Sequence, residues 1–177
     1  MKYKIEQFDP TTRRSPEYEL PLSERMRTFL RIEFLYQQYN YFINLDTDWS
    51  SRSGVTSLLE MMSILSRGDI RSDVHKELDR HIGILTSYHS QPAVDADILE
   101  KMVENLTHRR NALRAAGTNF IQPLRDNEFL NAIRHRSTIP GGTCEFDLPE
   151  FGHWLRQPLE RRSQDFQKWL SMIEPVC

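Results

Sequence analysis

The sequence predicts an all-α fold, a single bundle-like domain of about seven helices, and three observations carry that expectation. Gly (7) and Pro (9) are scarce among 177 residues, which disfavours a turn-dense β-sandwich, since together the two average about 12% of a chain. Long runs free of both repeat their apolar side chains every three or four positions, the spacing of one helix face. Apolar and polar residues nowhere alternate for more than about five positions, too short for a set of half-buried strands.

The elements follow in order. Residues 1–21 hold Pro10, Pro16 and Pro21 and no helical period, so an extended, partly disordered lead-in is expected there, with the helical domain over 22–177. Ser23 is placed to cap a first helix that runs on through Met26 to Leu45 without Gly or Pro. At 100° per residue, Phe29, Ile32 and Tyr36 form one apolar stripe and Met26, Leu30, Phe34 and Tyr41 another. A row of Arg27, Arg31 and Gln38 lies between them. Two apolar stripes are more than a simple surface helix needs, so this helix is expected at the centre of a bundle or against a partner. Val55 to Arg67 reads as a second helix stopped by Gly68, and Arg71 to Tyr88 as a third with Val74, Leu78, Ile82 and Leu85 inward. Asp95 caps a fourth, with Ile98, Met102, Leu106 and Leu113 as its apolar row and Gly117 as its stop. Asp126 or Asn127 opens a fifth that reaches about Arg136, and Trp154 and Leu155 mark a short sixth. Pro158 begins the last, which runs through Phe166, Trp169 and Ile173 to Pro175. In the loop Ile139-Pro140-Gly141-Gly142-Thr143-Cys144, a tight reversal is expected, followed by an extended segment with Cys144 and Phe146 pointing inward.

Composition narrows the function classes. A net charge of −2 argues against a diffuse polyanion binder, yet the cations are 18 Arg to 5 Lys, and Arg is suited to bidentate recognition of carboxylates. Cys144 and Cys177 form no disulfide framework, and the start Met1-Lys2-Tyr3-Lys4-Ile5 has no apolar core of a signal peptide. A soluble cytoplasmic protein without membrane spans is expected. His75 and Asp79 share a helix face, but His81 and His89 do not complete a metal-ligand set, so neither metal nor cofactor is expected. Cys144 with His135 or His153 is the one conceivable thiol nucleophile. With no phosphate cradle or nucleophile elbow elsewhere, the expectation is not an enzyme. Clusters of arginine point instead to a groove for an acidic or mixed-charge segment. An Arg-rich nucleic-acid adaptor is the alternative; it would need aromatic stacking positions among its charges, and none is visible.

Three stretches then carry a resemblance: Leu20-Pro21-Leu22-Ser23-Glu24-Arg25-Met26-Arg27-Thr28-Phe29-Leu30-Arg31, Arg67-Gly68-Asp69-Ile70-Arg71 with Lys76-Glu77-Leu78-Asp79-Arg80, and Ser137-Thr138-Ile139-Pro140-Gly141-Gly142-Thr143-Cys144-Glu145-Phe146-Asp147. In that order they resemble the ZapD family of bacterial cell-division factors, over about residues 17–175. The resemblance implies a cytoplasmic, dimeric, non-enzymatic protein recruited to midcell. It would bind the mixed-charge C-terminal tail of FtsZ, the tubulin-like protein of the division ring, and bundle its protofilaments. Arg31 matches a motif position and is carried over as partner-binding. Arg27, Arg67, Arg71, Arg80, Arg134, Arg136 and His153 are further candidates from charge and motif position. Glu128 stands where the family has a basic residue, and Gly152 where it has a histidine, with His153 adjacent. Members of the family continue into a C-terminal β-rich domain that these 177 residues do not include, so the chain is expected to be either a fragment or a member without that domain.

Overall fold

A computed structural model describes residues 18–66 and 70–176. Among them are eight α-helices, one 3₁₀ turn and no strand: α1 (Glu24–Phe42), α2 (Asp48–Leu65), α3 (Ile70–Ser87), the 3₁₀ turn Tyr88–Ser90, α4 (Ala96–Ala115), α5 (Gln122–Arg125), α6 (Glu128–Arg136), α7 (Pro149–Leu155) and α8 (Leu159–Ile173). The all-α expectation holds. Residues 18–21 have no regular structure, and the rest of the lead-in, together with Arg67, Gly68 and Cys177, lies outside the described residues.

Local signals set most boundaries. Ser23 accepts from the Met26 amide, Asp95 from those of Asp97 and Ile98, and Asn127 from that of Leu130. Each satisfies amide groups that a helix start leaves unpaired. Gly117 follows α4 at φ +74°, a left-handed conformation that only glycine takes without strain. The short α5 had no signal beyond Pro123, and its neighbour Leu124 is fully buried.

The second helix corrects the sequence reading. It begins at Asp48, not Val55, because Thr47 and Ser50 form a reciprocal capping box ahead of the run Ser51-Arg52-Ser53-Gly54, which resembles a loop. This helix, and not α1, is the buried centre. It buries Ser50, Ser51, Gly54, Val55, Ser57, Leu58, Leu59, Met61, Met62 and Leu65, covering nearly its whole circumference. Its serines return their hydroxyls to backbone carbonyls, Ser57 Oγ to Ser53 O at 2.9 Å and Ser50 Oγ to Leu45 O at 2.7 Å, so polar groups enter the core already paired.

Helices α1 and α8 pack on α2. Ile32, Leu35 and Tyr39 of α1 are buried, with Phe29 and Tyr36 beside them, while Met26, Phe34 and Tyr41 of the second stripe remain exposed. The Tyr39 hydroxyl donates to Phe166 O at 2.7 Å, and burial raises its pKa far above the usual phenol range. Where Gly54 passes α8, an added Cβ would lie 3.2 Å from the Phe166 ring and from Ile43, so glycine permits the close approach. Phe129, Phe151, Trp154, Phe166 and Trp169 join α6, α7 and α8 through ring pairs 5.3–6.0 Å apart.

Arg162 ties the base of α8 to the α1–α2 connection. It is 3% exposed and donates to Gln157 O at 2.9 Å, Thr47 O at 3.3 Å, Asp46 Oδ1 at 2.5 Å and Ser51 Oγ. Helices α3 and α4 pair as a hairpin with few buried side chains: Ile70, Leu99 and Leu113. Ile98 and Met102, expected inward, are 58% and 48% exposed, since a two-helix layer covers only one narrow seam. Phe146 is likewise 86% exposed, because residues 140–147 form successive turns in place of an extended segment.

Candidate functional site

Arg67 lies outside the described residues, and the other candidates fall on three separate surfaces. On α1, Arg27 and Arg31 are exposed one turn apart, and the apolar residues Leu30 and Phe34 lie one turn further along the same side. Arg27 pairs with Glu24 at 3.3 Å. Arg31 has no acceptor among the described residues, and Phe34, three positions on, is 63% exposed. This face therefore offers an unpaired guanidinium beside an exposed aromatic ring.

On α3 the arginines are engaged within the fold. Arg71 donates to Leu113 O at 3.2 Å and Arg114 O at 3.3 Å, closing the carbonyl end of α4. Arg80 bonds Glu77 at 2.7 Å, and Arg25 of α1 reaches the same carboxylate at 2.6 Å. The hydrogen bond from Arg80, with the one from Arg25 behind it, holds the Glu77 carboxyl below its usual range. Arg110 and His75 both meet Asp79, at 3.1 and 3.0 Å, so His75 and Asp79 form part of an ion-paired helix face. No group of three or more potential metal ligands occurs among the described residues.

The third surface is a groove between α2, α6 and the Pro-Gly-Gly loop, with a volume of about 470 Å³. Val55, Leu59, Ile133 and Phe151 give it an apolar lining, and Arg52, Arg134 and Glu60 supply charge. Arg134 has no acceptor among the described residues. The Arg52 guanidinium lies 4.9 Å from the Phe151 ring centre and donates one bond, 2.9 Å, to Thr143 O. Arg136 faces away to Asp147 at 3.7 Å, and His153 sits exposed on α7 beside Gln157. Sequence reasoning missed Arg52, whose only local signal is an aromatic three residues before it, Trp49, in a stretch that reads as loop.

The fold and these surfaces define an all-α domain that presents arginine beside apolar side chains, with no helix among the described residues long and apolar enough to cross a membrane. The chain belongs to the ZapD family: the family model described as "ZapD: Cell division protein" matches residues 30–177. It is 38% identical over 159 residues to the cell division protein ZapD of Ralstonia pickettii (strain 12J), covering 90% of this chain and 63% of that protein. It is 37% identical, with 90% of this chain covered in each case, to the ZapD proteins of Janthinobacterium sp. (strain Marseille) and Chromobacterium violaceum, spanning 63% and 64% of their lengths. The chain thus spans less than two thirds of the length of these curated relatives.

Proposed function

We propose that this chain is a non-enzymatic cell-division factor that binds FtsZ through the C-terminal tail of that protein and, as a cytoplasmic homodimer recruited to midcell, bundles FtsZ protofilaments. Family membership supports the cell-division role. The observation that carries the mode is Arg31: exposed, without an acceptor among the described residues, and flanked by the exposed ring of Phe34. A carboxylate with an apolar neighbour satisfies both groups at once. Two copies of such a face in a symmetric dimer hold two tails, and the many tails of a polymer multiply a modest affinity.

Light scattering and sedimentation of FtsZ with GTP test the reading. Added protein is expected to raise both signals, and either deletion of the FtsZ tail or Arg31→Glu to abolish the increase. Bundling that survives both changes refutes the mode. Sedimentation equilibrium of the protein alone checks valency, because a strict monomer holds only one tail. A salt-sensitive gel shift with DNA or RNA would favour the nucleic-acid adaptor instead.

A further inference from the structure

We propose that the groove between α2, α6 and the Pro-Gly-Gly loop is where the FtsZ tail seats an extended segment, an apolar side chain on the floor and a carboxylate against Arg134 and Arg52. The inference rests on the tail-binding reading and adds a second surface to Arg31.

Size is the first argument. The lining runs along α2 from Arg52 to Ser63, roughly 16 Å at the helical rise of 1.5 Å per residue, which matches about five residues of extended chain. Its volume of about 470 Å³ lies within the roughly 300–1,000 Å³ of ligand-binding clefts.

Charge is the second. Arg134 has no acceptor among the described residues, and Arg52 spends one N–H on Thr143 O while its stacking on Phe151 fixes its plane. Guanidinium donors left over beside an apolar floor match a carboxylate next to an apolar side chain. Glu60 on the same lining suits a partner that also carries a cation, hence a segment of mixed charge.

Pre-organisation is the third. The loop wall is held by Ile139 N to Arg136 O at 3.0 Å and Gly142 N to Ile139 O at 2.9 Å. Gly141 sits at φ +72°, and a Cβ on Gly142 would lie 2.5 Å from Arg136 O. Both glycines are therefore required by a turn that builds one side of the groove, and a wall already in place lowers the ordering cost of binding.

The test is fluorescence anisotropy of a fluorescein-labelled synthetic peptide of the FtsZ C-terminal tail, titrated with the full chain. Arg134→Glu removes the free cation, and Thr56→Trp fills the groove from an exposed helix position. Arg125→Glu is the control, an exposed arginine without a side-chain acceptor among the described residues and outside the groove, with the same change in net charge. Both groove variants are expected to weaken binding about tenfold or more, Arg134→Glu by the loss of one charge-assisted contact and Thr56→Trp by occupying the space of the apolar side chain, while the control stays within about twofold. Circular dichroism confirms that all three fold. Groove variants that bind like the unaltered chain, while Arg31→Glu weakens binding, overturn the groove and leave the tail-binding reading standing. No binding of the peptide to the unaltered chain overturns both.

Discussion

Arg161 and Arg162 are neighbours in sequence with opposite fates, and the contrast can be measured. Arg162 is buried with four acceptors, whereas the Arg161 side chain is 62% exposed and meets Asp165 only at 4.0 Å. Arg162→Ala removes the guanidinium and leaves the buried Ser51 hydroxyl and the half-buried Gln157 carbonyl without their donor. At about 1–3 kcal/mol for each orphaned buried group, plus the space left by the aliphatic stem, the expected loss is about 3–5 kcal/mol. Asp46→Ala should cost less, about 1–2 kcal/mol. Its carboxylate is 67% exposed and already largely solvated, and the guanidinium keeps three neutral acceptors. Arg162→Lys should fall between, because one ammonium cannot span acceptors on two elements. Arg161→Ala is expected within about 0.5 kcal/mol of the unaltered chain. Urea unfolding at constant slope measures all four. With a slope of about 2 kcal/mol per molar, Arg162→Ala shifts the midpoint down by roughly 2 M. A loss at Arg162 no larger than at Arg161 would refute the assignment of the α8 anchor.

Other consequences are open to the same assay. Tyr39 stays protonated in the fold while unfolded tyrosine ionises near pH 10, so its contribution is complete below about pH 10 and declines as pH rises above it. Tyr39→Phe, which loses about 1 kcal/mol at neutral pH with the bond to Phe166 O, should fall less steeply than the unaltered chain from about pH 10 to 11.5. Gly83→Ala, in open space on α3, should stabilise by up to about 1 kcal/mol, whereas Gly54→Ala should destabilise by about 1–3 kcal/mol through the contact with Phe166. Gly142→Ala pushes a Cβ onto the Arg136 carbonyl and should lower the thermal midpoint measurably, by several degrees for a loss of about 1–2 kcal/mol.

The stripes of α1 show how far a sequence pattern reaches. Phe29, Ile32 and Tyr36 do face the core, and that much was legible from 100° spacing. Which stripe was to be buried was not legible, since Met26, Leu30, Phe34 and Tyr41 have the same period. Arg71 was a candidate on charge and motif position, but its acceptors are carbonyls 42 and 43 residues away. The groove was half visible: the Pro-Gly-Gly turn and Arg134 could be read directly, while Arg52 lay in a serine-rich stretch whose helix depends on the Thr47–Ser50 capping box and burial.

By itself the sequence determined that the chain is helical, where most helices start and stop, and which family it joins, because caps, left-handed glycines and the 3.6-residue period act within a few residues of each other. Only the tertiary structure decided that α2 is the centre, that Arg162 is an internal anchor while Arg31 and Arg134 have no acceptor among the described residues, and that Ile98 and Met102 face outward. Those outcomes depend on which elements meet, for Arg162 across 115 and 116 residues of chain. A long-range contact is selected by the burial of the whole assembly, which no local spacing encodes.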